Sequence, residues 1–444
     1  MKIMIVGTGY VGLTTGIGMA ELGHEIICYD TNSEKINQLN RHQLPIFETN
    51  MDKLLIKNKK SIIFTDNIFP FIGEVSVLFL TIGTPSEENG DVNMNDLFQA
   101  VDYIGESLNH SILIINKCTV PPGTTDRIKE RLDKILISRK LTFKCRVIFN
   151  PEFLHEGNAL TDFFQPDRII IGSDNCNEIP ELAELFLFYT TNHIPILYTN
   201  IRTAELLKYV NNAVAALKVS FINEIANICE YENVNVWELI KLLTYDKRVS
   251  PQYLSPGIGF GGSCLPKDIK ALECMAKKVH VHLKMINKII EVNYFQIKRT
   301  ASIIQTHFPR GQITVLGTAF KANTNDIRES PSIQVIKELI KTENYMIHLY
   351  DPQALENTRK ELQANSKKLS FFTNLYDACI GSGAIAILTN WPQFSGVDLI
   401  KIKEIAEHPF IFDFHNVLGE DCLIESGLRY YIRGITGKED IIYD

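Results

Sequence analysis

Six residues near the start of the chain, GTGYVG at 7–12, commit the surrounding segment to one kind of local structure. The apolar run IMIV leads into them, a helical pattern follows to Gly23, and the run EIICY directly precedes Asp30. Glycines with this spacing allow a tight turn and the close approach of a pyrophosphate to a helix N-terminus. An acidic residue after the second strand binds ribose hydroxyls and repels a 2′-phosphate. The segment therefore predicts a βαβ unit that binds NAD rather than NADP.

Short apolar runs alternate with helical patterns through residues 1–200 and again from Gln312. Such alternation is typical of βαβ units, whose parallel strands are covered on both faces. We therefore predict an α/β protein with two doubly wound, Rossmann-like domains. In the first region the loops TIGTP, KCTVPPGT and NPEFL follow apolar runs. Because ligands of open α/β sheets bind at the carboxyl ends of the strands, these loops should surround one site.

Between the two α/β regions, the segment from Thr203 to Glu230 contains neither Gly nor Pro. As a single helix it would extend about 40 Å, which suits a spacer between domains or a subunit interface. Further helical patterns continue to about Thr300 and are interrupted by a glycine-rich loop. The first turn of the second α/β region, GTAFKAN from Gly317, lacks the GxGxxG spacing. We expect that turn to hold something other than a dinucleotide.

Charge and cysteine usage exclude several classes of protein. A formal net charge of −7, without a long basic run, argues against a nucleic-acid partner. Nine cysteines are scattered with no CxxC pair, which fits neither a disulfide framework nor a zinc site and suits a reducing cytoplasm. No apolar stretch approaches the roughly twenty residues of a membrane span. We expect a cytoplasmic protein without a metal and without a membrane partner.

The sequence GGSCLPKD at 261–268 places a cysteine just before a predicted helix. Pro266 suits the first turn of a helix, where its missing N–H is not needed. Cys264 would then lie where the helix dipole and unpaired N–H groups favour a thiolate, with Asp268 about one turn further on. This arrangement suits a nucleophile. The alternative is a buried structural cysteine beside a glycine turn.

A cofactor domain and a reactive cysteine together suggest hydride transfer combined with covalent catalysis. A cysteine is useful when an aldehyde must be held as a thiohemiacetal, oxidised to a thioester and then hydrolysed. That sequence converts an alcohol into an acid with two NAD. Asp268 could assist the thiol or activate water, and Lys267 adds positive charge nearby.

Four features occur in a fixed order along the chain. They are NPEFLHEG at 150–157, Lys208 with Asn212 in the long helical segment, GFGGSCLPKD at 259–268, and FKANTNDIRESP at 320–331. Together, and over nearly the whole chain, they resemble the nucleotide-sugar dehydrogenases, the UDP-glucose/GDP-mannose dehydrogenase family. The resemblance implies an NAD-dependent, two-step oxidation of a sugar 6-hydroxyl to a uronic acid.

The resemblance also implies roles for individual residues. Cys264 would be the nucleophile, Lys208 would stabilise the developing oxyanion, and Asn212 would contact the sugar. Glu152 would be the acid/base group, with Thr119 placing its water. The expected catalytic residues are Cys264, Lys208, Asp268, Glu152, Asn212 and Thr119. Without the resemblance, Lys208 would be read as a solvated lysine and Glu152 as an ordinary turn residue.

Ligand contacts follow from the same resemblance. The expected cofactor-binding residues are Gly7, Gly9, Tyr10, Val11, Gly12, Asp30, Lys35, Thr84, Thr119, Glu156 and Arg328. The expected substrate-binding residues are Glu152, Phe153, Leu154, Glu156, Lys208, Asn212, Arg248, Tyr253, Leu254, Gly261 and Lys321. Arg248 aligns with an arginine that the family contributes from the neighbouring subunit, so we expect a homodimer or a higher assembly with the long helix as its seam.

Three domains are expected on this basis: an NAD-binding domain at 1–200, a central helical dimerisation segment at 201–300 that carries the cysteine loop, and a nucleotide-sugar-binding domain at 301–444. The sequence departs from the family in two loops. Cys118 stands where a serine is common, and Ser250 stands where a glycine usually follows the arginine. The second departure bears on the expected contact of Arg248.

The choice of sugar depends on a few positions. Ser263 and Lys267 point to the glucose or mannose branch rather than to the N-acetylated sugars, and HEG at 155–157 with QPDRIIIG at 165–172 favours UDP-glucose. GDP-mannose stays open as an alternative. So does a one-hydride dehydrogenase of the hydroxyacid or 6-phosphogluconate type, which would not need Cys264 or a second α/β domain. A third alternative is a binding protein that senses NAD or redox state through Cys264.

Overall fold

Buried aliphatic and aromatic side chains form the strands of two sheets within residues 1–174, 179–362 and 367–435, the part of the chain that this computed structural model describes. Cys176, one of the nine cysteines, lies outside these residues. The chain divides into two compact units, Met1–Asn211 with Lys270–Val281 and Asn212–Ile269 with His282–Asp444.

The first unit contains a sheet of eight described strands in the order β3-β2-β1-β4-β5-β6-β7-β8. Neighbouring strands are parallel except for β6 and β7. The strands are β1 (Lys2–Val6), β2 (Glu25–Tyr29), β3 (Ile62–Thr65), β4 (Val77–Leu80), β5 (Leu113–Asn116), β6 (Arg146–Phe149), β7 (Ile169–Gly172) and β8 (Ile196–Thr199). The helices are α1 (Tyr10–Glu21), α2 (Ser33–Asn40), α3 (Met51–Asn58), α4 (Asn95–Ser107), α5 (Thr124–Ser138), α6 (Ala159–Phe164), α7 (Glu181–Leu185) and α8 (Leu187–Thr191).

The apolar runs are continuous because both faces of this sheet are covered. Side chains alternate between the faces of a strand. In β1, Ile3 and Ile5 belong to one apolar cluster, whereas Met4 and Val6 belong to another. This double burial holds the carboxyl ends of the strands in a row and so positions the loops that follow them.

One helix, α9 (Ile201–Glu232), contains 32 residues and would measure about 48 Å. The prediction of a single long helix is therefore confirmed. Three further helices follow it along the chain, α10 (Val236–Leu243), α11 (Leu265–Lys278) and α12 (Lys284–His307). The boundary between the two units falls within α9 and again within α11. The division at residues 200 and 300 stays a prediction.

The second unit contains a parallel sheet of six strands among its described residues, in the order β11-β10-β9-β12-β13-β14. These are β9 (Gly311–Leu316), β10 (Tyr345–Tyr350), β11 (Leu369–Phe371), β12 (Ala384–Ile387), β13 (Phe410–Asp413) and β14 (Arg429–Ile432). Its helices are α13 (Pro331–Lys341), α14 (Leu355–Leu362), α15 (Leu375–Cys379), α16 (Leu399–Ile405) and α17 (Glu420–Ser426). The predicted α/β class with two doubly wound sheets is confirmed.

No helix among the described residues is both long and apolar enough to cross a bilayer.

Candidate active site

The glycine turn after β1 leaves room for a ligand where side chains would block it. Gly7 has a φ of +99°, and a Cβ at this position would come within 2.8 Å of the Thr81 carbonyl oxygen. A Cβ at Gly12, in the first turns of α1, would overlap the Gly7 carbonyl oxygen at 1.8 Å. Gly9 faces open space, with nothing within 4 Å of its Cβ position. The turn is therefore as tight as a pyrophosphate-binding turn requires.

Asp30 lies at the end of β2 and points back to this turn. Its Oδ2 accepts hydrogen bonds from the Thr8 N–H at 2.9 Å and from the Lys35 ammonium at 2.9 Å, and its Oδ1 accepts the Asn32 N–H at 3.0 Å. Burial opposes ionisation, but these donors outweigh it and lower the pKa of Asp30. An ionised carboxylate at this place can accept a ribose hydroxyl, so the turn and Asp30 fit the adenosine half of NAD.

Hydrogen bonds join several of the loops at the same edge of the sheet. Tyr10 lies in the first turn of α1, beside Val11. Its hydroxyl donates a hydrogen bond to the Glu48 carboxylate and accepts one, at 2.7 Å, from the N–H of Gly157, the residue that follows Glu156. The Thr84 hydroxyl donates to the Thr119 carbonyl at 2.7 Å, which ties the loop after β4 to the loop after β5. The expected cofactor residues of the first unit are thus brought to one edge.

Glu152 and Lys208 form a buried ion pair within the first unit. Glu152 follows β6 and Lys208 lies on α9, and the Nζ–Oε1 distance is 2.8 Å, with side-chain exposures of 6% and 4%. The other carboxylate oxygen accepts the Leu154 N–H at 2.8 Å. Burial opposes the charge of Glu152, but Lys208, the Leu154 N–H and Lys117 together lower its pKa. Glu152 is therefore a carboxylate, and each partner neutralises a charge that would be costly alone.

Phe153 helps to fix this pair. Its ring centroid lies 4.9 Å from the Arg168 guanidinium carbon and 5.5 Å from the Lys208 Nζ. Cations are attracted to the faces of aromatic rings. Phe153 thus contributes to the stabilisation of Lys208, while Leu154 packs against the apolar core.

In the second unit, Cys264 lies immediately before α11, as predicted. Its carbonyl accepts the Asp268 N–H at 2.9 Å, which is the first helical hydrogen bond, and Pro266 occupies the first turn. The Ser263 hydroxyl lies 3.7 Å from the Cys264 sulfur. The thiol therefore stands at the positive end of the helix, where a thiolate is stabilised.

Asp268 and Asn212 meet beside this cysteine loop in the same unit. The Asp268 side chain is 1% exposed, and its carboxylate accepts the Asn212 amide at 2.6 Å and the Lys267 ammonium at 2.5 Å. A buried carboxylate needs such donors. Asn212 is in turn held by its amide nitrogen on Asp268.

The glycine pair before Cys264 is explained by a close backbone approach. A Cβ at Gly261 would lie 2.3 Å from the Glu329 carbonyl oxygen, and the Gly262 N–H donates to the Arg328 carbonyl at 2.9 Å. The cysteine loop therefore packs directly against residues 328–331, which belong to the FKANTNDIRESP segment.

Five other expected ligand-binding residues belong to the second unit. Arg248 and Arg328 each form an ion pair with the aspartate two positions earlier, at 2.5 Å to Asp246 and 2.6 Å to Asp326. Tyr253 has a φ of 64°, Leu254 is buried, and the Lys321 ammonium lies 5.6 Å from the Phe320 ring centroid. Their roles toward substrate and cofactor stay predictions.

Two residues near the Glu152–Lys208 pair were missed by the sequence reasoning. Lys117 donates to Asn150 at 2.9 Å, and Glu205 accepts N–H groups of the Gly123 and Thr125 backbone at 2.5 and 2.8 Å. The available signals were weak. Lys117 begins the KCTVPPGT loop directly after an apolar run, and Glu205 precedes Lys208 by one helical turn.

Family models match the chain in three consecutive segments. They describe the UDP-glucose/GDP-mannose dehydrogenase family: its NAD binding domain at residues 1–190, its central domain at 202–294 and its UDP binding domain at 314–420. The expected family and the expected cofactor, NAD, are thereby confirmed.

Known proteins resemble the chain over its full length. A UDP-glucose 6-dehydrogenase of Rickettsia bellii is 36% identical over 98% of this chain and 99% of its own length. One from Bacillus subtilis is 35% identical over 98% of both chains. The structure of a UDP-glucose dehydrogenase from Pyrobaculum islandicum is 28% identical over 98% of both chains, with a TM-score of 0.86. The chain therefore belongs to the UDP-glucose/GDP-mannose dehydrogenase family and is an NAD-dependent oxidoreductase.

Proposed function

We propose that the enzyme oxidises UDP-glucose to UDP-glucuronate in two steps, with Cys264 as the covalent nucleophile. The observation that carries the proposal is the position of Cys264 at the N-terminus of α11, one turn before a buried Asp268 that Asn212 holds at 2.6 Å. The relatives from Rickettsia bellii and Bacillus subtilis bear the name UDP-glucose 6-dehydrogenase, which supports UDP-glucose over GDP-mannose.

The reaction needs two hydride acceptors and one water. NAD, when bound, accepts one hydride per molecule. Loss of the first hydride and a proton turns the 6-hydroxyl into an aldehyde, to which the Cys264 sulfur adds. Loss of the second hydride from the thiohemiacetal gives a thioester, and water then releases the acid and the thiol. The balance is RCH2OH + 2 NAD+ + H2O → RCOO− + 2 NADH + 3 H+.

Each residue has a role that suits its surroundings. Lys208, which forms an ion pair with Glu152 at 2.8 Å, would stabilise the oxyanion that develops on the 6-oxygen. Glu152, whose pKa is lowered despite burial, would accept the proton of the water that attacks the thioester. Thr119 would place that water. Asn212, fixed by Asp268, would donate or accept a hydrogen bond at the sugar.

We also propose that the enzyme is a homodimer with α9 at its seam. Val214, Phe221 and Ile228 are exposed on this helix at intervals of seven residues, and Tyr231 continues the same stripe. A repeat of seven puts these side chains on one face, and such an apolar stripe favours burial against a second helix. The side chain of Arg248 is 88% exposed, which suits a residue offered to a neighbouring subunit.

The deciding experiment is the yield of NADH per sugar, with excess NAD and limiting UDP-glucose, repeated with GDP-mannose. We expect two NADH per UDP-glucose and little from GDP-mannose. The Cys264→Ser variant should lose at least about a thousandfold in steady-state rate, whereas Cys422→Ser, a change at an exposed cysteine, should not. One NADH would contradict the covalent role of Cys264. No NADH with either sugar would favour a sensor of NAD or redox state.

A further inference from the structure

Lys117 lies close enough to Glu152 and Lys208, two expected catalytic residues of the first unit, for their charges to act on it, yet none of the assigned roles uses it. It follows β5 and begins the loop that carries Thr119. Its ammonium donates to the Asn150 amide oxygen at 2.9 Å. The amide nitrogen of the Asn150 side chain donates to the Ile170 carbonyl at 2.8 Å, and the Asn150 backbone N–H donates to the Asn116 carbonyl at 2.9 Å. Asn150 is therefore fixed and holds the Lys117 ammonium in one place.

The charged groups that act on Lys117 come from the two elements beside it. They are Glu152, in the segment after β6, and Lys208, on α9. The pKa of Lys117 is lowered to about 8: burial lowers it most, Glu152 raises it, and Lys208 lowers it. Lys117 in turn contributes to the lowered pKa of Glu152. Two ammonium groups thus act on one buried carboxylate.

The need for a second cation follows from the chemistry that Lys208 would perform. In the resting enzyme, Lys208 is the ion-pair partner of Glu152 at 2.8 Å. Once Lys208 is drawn to an oxyanion, its attraction to Glu152 is largely lost. A buried carboxylate without a cation then takes up a proton. A protonated Glu152 could no longer accept a proton from water. A cation fixed by Asn150 is not drawn away.

We propose that Lys117 is a positioning residue that keeps the Glu152 carboxylate ionised while Lys208 is engaged with the substrate. The inference rests on the proposed function, because it assumes that Glu152 acts as a base and Lys208 as the oxyanion partner. It adds Lys117 to the Glu152–Lys208 pair as a residue that contacts neither the Cys264 sulfur nor the sugar.

The first test compares pH profiles of Lys117→Met, which removes the charge, and Lys117→Arg, which keeps it. For Lys117→Met we expect the acidic limb of the kcat profile to move up by about one pH unit, and kcat at a pH on that limb to fall about tenfold. KM for UDP-glucose should stay within about twofold, because Lys117 does not bind the sugar. Lys117→Arg should restore most of the profile. Lys129→Met, at an exposed lysine of α5, is the matched control.

An unmoved acidic limb in Lys117→Met would overturn the proposal and leave Lys117 a structural residue. The proposal would also be overturned if Lys117→Arg lost as much kcat as Lys117→Met and had the same pH profile. The positive charge would then not be the property of Lys117 that matters.

A second readout needs no substrate, so it separates this proposal from the proposed function. A lysine whose pKa is lowered in the folded state binds fewer protons than in the unfolded state between about pH 8 and 10.5. The wild type therefore gains stability as pH rises through this window, and Lys117→Met does not. We expect Tm of the variant minus Tm of the wild type to be more positive at about pH 7 than at about pH 10. A difference that does not change with pH would show that Lys117 is not a confined cation and would overturn the inference.

Discussion

Cys118 lies in the loop after β5, next to Thr119, with its sulfur against the end of β4. It accepts the Ile82 N–H at 3.2 Å and donates to the Leu80 carbonyl at 3.3 Å. Burial raises the pKa of this thiol to about 12. It therefore stays protonated and hidden at neutral pH, whereas Cys264 is partly exposed at a helix N-terminus.

This contrast predicts how the two cysteines respond to substitution and alkylation. A serine at position 118 can make both hydrogen bonds, so Cys118→Ser should change the free energy of unfolding by no more than about 1 kcal/mol and leave kcat within about twofold. Iodoacetamide should modify Cys264 in the native protein and leave Cys118 unmodified, as peptide mass spectrometry can measure. Rapid labelling of Cys118, or loss of activity in Cys118→Ser alone, would contradict its structural role.

At the scale of elements, Glu205 links α9 to α5. Its carboxylate accepts the N–H groups of Gly123 and Thr125, two of the donors that a helix N-terminus leaves without partners. Burial raises the pKa of Glu205, although these hydrogen bonds oppose the rise. The contact joins the helix that carries Lys208 to the loop that carries Thr119, within one unit.

Glu205→Gln should therefore destabilise the protein. Glutamine has one carbonyl oxygen, and its amide N–H2 would face a backbone N–H, so one buried donor loses its partner at a cost of about 1–3 kcal/mol. Urea unfolding followed by circular dichroism measures this as a lower midpoint. Glu130→Gln, at an exposed glutamate of α5, is the control and should leave the midpoint unchanged. Equal midpoints for both variants would mean that Glu205 does not hold the two helices together.

How much the sequence predicts depends on where an element lies. The apolar runs identify the inner strands β1, β2, β4, β5, β6, β9, β10, β12 and β13. The strands that the apolar runs did not identify are β3, β8, β11 and β14, which are the edges of the two sheets, and β7, although its run IIIG is as apolar as those of the inner strands. An edge strand buries less of its surface, so its apolar signal is weak: β8 reads ILYT and is mostly exposed.

For the site, helical spacing was enough to bring Cys264 and Asp268 together, because both lie on one short segment. Pairs formed between segments could not be derived from spacing. Asn212 with Asp268 and Glu152 with Lys208 became plausible only through the family resemblance. Lys117 escaped both routes, since a loop lysine is usually solvated and its burial depends on the surrounding loops.

At the scale of the whole molecule, the two sheets repeat one construction. Gly7 donates its N–H to Tyr29 at 2.8 Å, and Gly317 donates to Tyr350 at 2.8 Å. The next residues, Thr8 and Thr318, donate to an aspartate at the end of the adjacent strand, Asp30 at 2.9 Å and Asp351 at 2.7 Å. The second sheet thus has the Rossmann turn without the GxGxxG spacing, in keeping with the match of this region to a UDP binding domain.

The last prediction concerns the proposed dimer and the role of Arg248 in it. If Arg248 completes the site of the neighbouring subunit, Arg248→Ala and Cys264→Ser subunits are each inactive alone but complementary together. A mixed dimer has one site with an intact Cys264 and an intact partner arginine. Equal co-expression gives mixed dimers in about half of the molecules, each with one working site, so activity should recover to about a quarter of the wild type.

The measurement is NADH production by separately tagged subunits, purified through both tags so that only mixed dimers remain; these should reach about half of the wild-type rate per dimer. The double variant Arg248→Ala/Cys264→Ser paired with the wild-type chain is the control. Its single intact Cys264 would face a mutated arginine, and it should stay inactive. Activity in the control, with none in the complementary pair, would mean that Arg248 serves its own subunit, where Asp246 already holds it at 2.5 Å.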